Sequence, residues 1–193
     1  FDALLWSTAG NNGRQRYHYN GTLTLRKDIP EMPTYTAMDV TERNSIVGSQ
    51  VYEDGTLFHG PLFRGVERVI NISRQKLTMQ CQLPVVPEEV QGQFPVQTFD
   101  PYQVDIQFQC MLIWVRHFYQ AGSLPLRSDK IEHFHSVPIG VPFYVSMDVQ
   151  VSTANKLIAD VFSHDAQGRV YMQVFGAEVT ISERLNQLFA RSR

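Results

Sequence analysis

The stretch DPYQVDIQFQCMLIWVRHFYQ, Asp100 to Gln120, decides how the rest of the chain is read. Val104, Phe108, Met111, Leu112, Val115 and Phe118/Tyr119 recur at the offsets of one helix face. Asp100 before Pro101 is an N-cap followed by a proline in the first turn. Asp105 and Gln109 lie one turn apart beside the apolar face, so they point the same way. On an otherwise hydrophobic helix, an early acid is either a solvated first-turn charge or a group placed within reach of an apolar substrate. The helix alone favours the solvated charge, because acids prefer first turns.

Outward from the helix, composition sets bounds. The 193 residues are enough for one ordinary domain, and 43% hydrophobic content is enough for a sizeable core. A formal net charge of −2 supplies no basic footprint for nucleic acid. Cys81 and Cys110 are too few for a disulfide framework and lack metal-ligand spacing. They read as core thiols of a reducing compartment, so a cytoplasmic location is expected. No apolar run reaches the roughly 18 residues that span a bilayer. The chain opens at Phe1 inside what reads as a structured element, as expected of a piece of a longer polypeptide.

Upstream of the helix, Ala3 to Thr8 and Gln15 to Arg26 read as strands around Gly10-Asn-Asn-Gly13, a hairpin signal. Such a hairpin is marginal alone and should dock on something. Residues 27–55 lack periodicity and read as a linker with one helical turn around Thr41 to Gln50. Leu62 to Ile72 and Lys76 to Leu83 read as strands, Pro84 to Gln93 as a loop, and Phe94 to Phe99 as an extended lead into the helix. After the helix, Ala121 to Pro125 reads as a loop. Four strand candidates follow: Lys130 to Val137, Pro142 to Ser152, Lys156 to His164 and Arg169 to Ile181. Asp165-Ala-Gln-Gly168 turns between the last two. Ser182 to Arg193 reads as a terminal helix with Leu185, Leu188 and Phe189 on one face. The expected organisation is a hairpin over 1–26, a linker over 27–55 and a main domain over 56–193.

Only a sheet can cover so hydrophobic a helix. The order of elements therefore predicts an α+β hot-dog fold, a curved antiparallel sheet wrapped around one long central helix. Three segments add a family resemblance covering about Val51 to Ile181. Leu57-Phe-His59-Gly60-Pro61-Leu-Phe63-Arg-Gly65-Val66 resembles the aromatic-Gly-Pro-x-Phe-Gln-Gly segment that opens the second hot-dog of polyketide and polyunsaturated fatty acid synthase dehydratases. Pro101 to Gln109 resembles their Pro-x-x-x-Asp-x-x-x-Gln helix start. Leu124-Pro125, the strand at Ile131 and the Asp165–Gly168 hairpin follow in register. Phe-His-Gly-Pro-Leu-Phe leans towards the polyunsaturated fatty acid synthases.

The resemblance implies a domain that acts on, or binds, β-hydroxyacyl thioesters of an acyl carrier protein, mainly through the C-terminal half of a double hot-dog. Asp105 takes the position of the acid that protonates the departing hydroxyl, and Gln109 the position that orients it. The chemistry needs a base titrating near neutrality and a carboxyl that holds a proton in apolar surroundings. His59, Gly60, Pro61 and Phe63 form the implied substrate-binding segment. His59 either lines the site mouth or hydrogen-bonds the thioester, or is a loop histidine held by packing. Gly60-Pro61 reads as a turn that brings Phe63 into the core. No cofactor is implied beyond the carrier's phosphopantetheine. The implied partners are the carrier protein, neighbouring synthase domains and a second copy paired through hot-dog edges.

One departure stands out. None of the six histidines, His18, His59, His117, His133, His135 and His164, heads the family's His-x-x-x-Gly-x-x-x-x-Pro base motif. The isolated chain is therefore expected to be inactive or incomplete. A non-catalytic pseudo-dehydratase that positions carrier and acyl chain is the alternative, and a hot-dog thioesterase, in which the helix carboxylate activates water or attacks the thioester, a third. His133 and His135 share one strand face but have no evident third metal ligand, so they read as solvated and no metal site is expected. His117 suits the negative end of the helix. Arg64, Arg68, Arg74, Lys76 and Arg116 form a weak basic patch towards an acidic carrier. The serine-nucleophile motif and phosphate-binding loops are absent.

Overall fold

The computed structural model describes residues 1–9, 14–91 and 100–190. The chain divides into two units, Phe1–Pro30 and Glu31–Arg193. In the first, β1 (Asp2–Ala9) and β2 (Arg14–Thr22) pair antiparallel, with a register shift at Leu5/Trp6. The Leu23 amide donates to the Phe1 carbonyl at 2.7 Å and extends the pairing at the open end. Leu4, Leu5, Trp6, Tyr17 and Tyr19 are all exposed, the condition in which a two-stranded hairpin is marginal by itself. The expected turn at Gly10–Gly13 lies outside the described residues, as does the extended lead at Phe94–Phe99.

The second unit is a hot-dog: one sheet wrapped around α2 (Pro101–Tyr119). The sheet contains β3 (Ile46–Val47), β4 (Val66–Ile72), β5 (Lys76–Cys81), β6 (Gly122–Arg127), β7 (Lys130–His133), β8 (Phe143–Ser152), β9 (Lys156–His164) and β10 (Val170–Ser182). Their order is β3-β4-β5-β8-β9-β10-β6, with β7 also on β10, and every pairing is antiparallel. The long β10 carries β7 on Met172–Phe175 and β6 on Glu178–Ser182. The join is Gly176, whose φ of 60° is the left-handed region glycine enters freely.

Alternation explains the central strands. Phe143, Val145 and Met147 of β8, and Leu157, Ala159 and Val161 of β9, are fully buried, with more exposed residues between them. Against this face lies α2. The side chain of Asp100 caps it by accepting from the Tyr102 and Gln103 amides at 2.8 and 3.3 Å, and Gln120 ends it in the left-handed region. Burial runs around most of its circumference. Ile106, Cys110, Ile113 and Trp114 are as deep as the expected Met111, Leu112 and Val115, whereas Val104 and Phe108 are only half-buried. A sheet that curves around a helix covers more than one stripe, so no single 3.6-residue face describes it. The buried amides of Gln103 and Gln107 donate to Ser163 Oγ and the Val161 carbonyl, tying α2 to β9.

Three regions differ from the sequence expectation. Residues 122–125, in the stretch 121–125 expected as a loop, begin β6; Pro125 is tolerated because β6 is an edge strand. Residues 31–53, inside the expected linker, lie on the sheet domain. Thr34 bridges Arg169, the Tyr35 ring stacks on Phe162 at 4.5 Å, and the Asn71 amide holds the Asp39 and Thr41 carbonyls. The helical turn expected near Thr41–Gln50 is α1, at Gly48–Glu53. A Cβ on Gly48 would overlap the Val66 carbonyl, so this glycine lets α1 lie directly on β4. In α3 (Arg184–Ala190), Phe189 is buried and Leu185 packs on the core, but Leu188 is 56% exposed. Among the described residues no helix is long and apolar enough to cross a membrane.

Candidate active site

The site forms where the loop before β4 crosses the start of α2. Pro61–Phe63 is one 3₁₀ turn with Gly60 at its N-cap; the Phe63 amide donates to the Gly60 carbonyl at 3.0 Å. Pro61 in the first position suits a helical start. This turn carries His59 to Asp105, with His59 Nε2 3.4 Å from Asp105 Oδ2. The Asp105 side chain is 34% exposed and that of His59 13%, so the pair sits at a half-open mouth. The His59 ring stacks on Phe58 at 4.5 Å, and Phe58 stacks on Phe189 of α3 at 4.3 Å. On the other side, Phe63 lies against Tyr102, with centroids 4.9 Å apart. An acid and an imidazole flanked by aromatic rings suit a polar group at the end of an apolar chain.

Gln109 joins these groups. Its Nε2 donates to Asp105 Oδ2 at 2.8 Å and to the Phe63 carbonyl at 2.7 Å, while its Oε1 accepts from the Tyr52 hydroxyl at 2.9 Å. The Tyr52 oxygen in turn accepts from the Gly65 and Val66 amides, each at 3.1 Å. Gln109 is 2% exposed and Tyr52 8%, so these bonds face little competition from water. Burial pushes the Tyr52 phenol well above its ordinary range, which keeps it a donor. Burial also lowers the His59 pKa, against the opposing pull of the Asp105 carboxylate. Its Nδ1 is buried with no hydrogen-bond partner among the described residues.

Asp105, Gln109, His59 and Phe63 are thus brought together. Gly60 and Pro61 are exposed and contribute the turn. Phe63 does not enter the core as expected; it is half-buried and lends its carbonyl to Gln109, because the 3₁₀ turn directs the ring to Tyr102. His135 is exposed and bonds the Ser136 carbonyl, whereas His133, expected as solvated, is half-buried and its pKa is lowered by that burial. Among the described residues no three metal-ligating side chains cluster. His164 is fully buried on the face of β9 away from α2, bonded to Ser146 Oγ and the Asp165 carbonyl, apart from this site. Tyr52 was invisible to sequence reasoning. It stands in an aperiodic stretch, and only the fold brings its hydroxyl to Gln109.

Comparison with known proteins places this arrangement in context. Over 101 residues, 51% of the chain, it is 36% identical to a polyunsaturated fatty acid synthase polypeptide of Thraustochytrium sp. (strain ATCC 26185 / S-3), and it spans 4% of that polypeptide. A trans-AT polyketide synthase dehydratase domain from Brevibacillus brevis superposes with a TM-score of 0.73 at 17% identity, covering 94% of this chain and 65% of that one. The dehydratase domain from the CurF module of curacin polyketide synthase gives 0.69 at 16%, covering 94% and 64%. The chain thus spans about two thirds of these dehydratase domains. Residues 37–188 match the family described as polyketide synthase dehydratase N-terminal domain. With the hot-dog fold and the acid-bearing helix start in place, the chain belongs to the polyketide synthase dehydratase family.

Proposed function

We propose that this dehydratase-like domain handles β-hydroxyacyl thioesters presented on the phosphopantetheine of an acyl carrier protein, with Asp105 as the general acid. The supporting observation is the Asp105 carboxyl at a half-open aromatic mouth, held by Gln109 and faced by His59. In the reaction a base removes the α-proton, the Cα–H electron pair forms the Cα=Cβ bond, and the Cβ–O bond breaks. Asp105 gives its proton to the departing oxygen, which leaves as water. His59 contacts the substrate at the mouth. The base is a histidine outside this sequence's own motifs, supplied by a first hot-dog half. The carrier and neighbouring synthase domains are the partners, and a second copy pairs along the sheet edges.

The missing histidine motif favours one second reading, a domain that positions the acyl chain without turning it over. Mass spectrometry of carrier-bound β-hydroxyacyl thioester separates the two. The chain is tested alone and with a first hot-dog half that carries the histidine motif, as wild type and Asp105→Asn. Loss of water that needs both the added half and Asp105 supports the proposal. Thioester that stays bound and unchanged in both mixtures supports positioning. Released free acid that depends on Asp105 refutes both in favour of a thioesterase.

A further inference from the structure

Tyr52 lies outside the segments that carry the family resemblance, yet the orientation of Asp105 traces back to it. The polarity of the hydrogen bonds around Gln109 has one solution. Its amide group offers two N–H donors and one carbonyl acceptor. One end faces two acceptors, Asp105 Oδ2 and the Phe63 carbonyl, so that end is the NH₂. The other faces Tyr52 Oη, which already accepts from the Gly65 and Val66 amides, so its single proton goes to Gln109 Oε1. Reversing the amide would set a carbonyl against two acceptors and an NH₂ against an oxygen whose lone pairs are taken. Backbone amides at the start of β4 therefore fix the Tyr52 hydroxyl, the hydroxyl fixes Gln109, and Gln109 fixes one carboxyl oxygen of Asp105. Both contacts of that carboxyl, from Gln109 and from His59, fall on Oδ2.

We infer that Tyr52 is a positioning residue for Asp105, acting through Gln109 to hold the carboxyl by Oδ2 so that Oδ1 meets the substrate hydroxyl. This rests on the reading of Asp105 as the acid, but the relay itself can be tested apart from catalysis. In Tyr52→Phe the Gln109 carbonyl loses its donor and the amide is held at its NH₂ end alone. The Gln109 side-chain N–H protons, followed by ¹⁵N NMR hydrogen exchange, should then exchange about tenfold faster or more while the backbone resonances of α2 and β4 persist. In the complemented dehydration assay, kcat should fall about 10- to 100-fold with little change in KM. In a Gln109→Met background, Tyr52→Phe should cost nothing further, because the link is already cut.

Unchanged Gln109 exchange in Tyr52→Phe, or fully additive losses in the double variant, would overturn the inference. Faster Gln109 exchange in a protein with no turnover would uphold the relay and remove only the acid reading. Should Tyr52→Phe fail to fold, 3-fluorotyrosine at position 52 keeps the hydroxyl and makes it a stronger donor. It should shift the Gln109 side-chain resonances, and their failure to move would equally overturn the inference.

Discussion

Replacing Gly65 by alanine tests why the loop–strand junction carries glycine. A Cβ at this position would overlap Ile106 Cδ1 and stand 2.8 Å from the Gln82 carbonyl. Neither neighbour yields easily. Ile106 is fully buried, and the Gln82 amide is itself bonded to the Gly65 carbonyl at 2.8 Å. Overpacking of this kind costs about 1–3 kcal/mol. In a domain of this size each kcal/mol shifts Tm by about 2–4 °C, so Gly65→Ala should lower Tm by about 2–12 °C. The closest overlap is with one methyl, which gives a sharper test. Ile106→Val deletes Cδ1 and alone costs about 0.5–1.5 kcal/mol. Combined with Gly65→Ala it should be clearly less harmful than the sum of the two. Urea unfolding of the four proteins by circular dichroism supplies the cycle. An unchanged Tm for Gly65→Ala, or strict additivity, would refute the proposed contact between glycine and helix.

Three further outcomes follow from the same geometry. Asp100→Ala removes the cap that accepts two amides at the start of α2, and should cost about 1 kcal/mol in urea unfolding. Burial holds His164 below its ordinary value of 6.5, so the unfolded chain takes up its proton first as pH falls. That contribution is therefore complete above about pH 6.5 and is lost below it, and His164→Gln should flatten the fall in Tm between neutral and mildly acidic pH. The exposed apolar residues of the hairpin and the open sheet edges favour self-association, so light scattering should report a dimer. A monodisperse monomer would contradict that pairing.

The parts of the fold legible in the sequence are those whose contacts repeat. Residues of β8 and β9 alternate because one face meets α2, and Asp165–Gly168 announces the turn between β9 and β10. The α2 start is legible through its cap, its proline and the one-turn spacing of Asp105 and Gln109. What stayed hidden depends on single anchors. Thr34, Tyr35 and Asn71 tie residues 31–41 to the sheet without any period, and β6 is masked by Pro125 at an edge. The site divides along the same line. Asp105, Gln109 and His59 sit in motifs, but the contact between His59 and Asp105 and the relay from Tyr52 exist only once loop, helix and strand have met.

The central claim is that Asp105 reads the β-hydroxyl of a thioester-borne acyl chain, and a comparative binding measurement tests it most directly. Calorimetric titration would compare a β-hydroxyacyl pantetheine with the saturated acyl analogue of equal length, on the wild-type chain and on Asp105→Ala. An ordinary hydrogen bond contributes about 0.5–1.5 kcal/mol net, so the wild type should prefer the hydroxylated ligand by about two- to tenfold. Asp105→Ala should bind both ligands with the affinity the wild type shows for the saturated one. Equal wild-type affinities, or a preference that survives the substitution, would contradict the account.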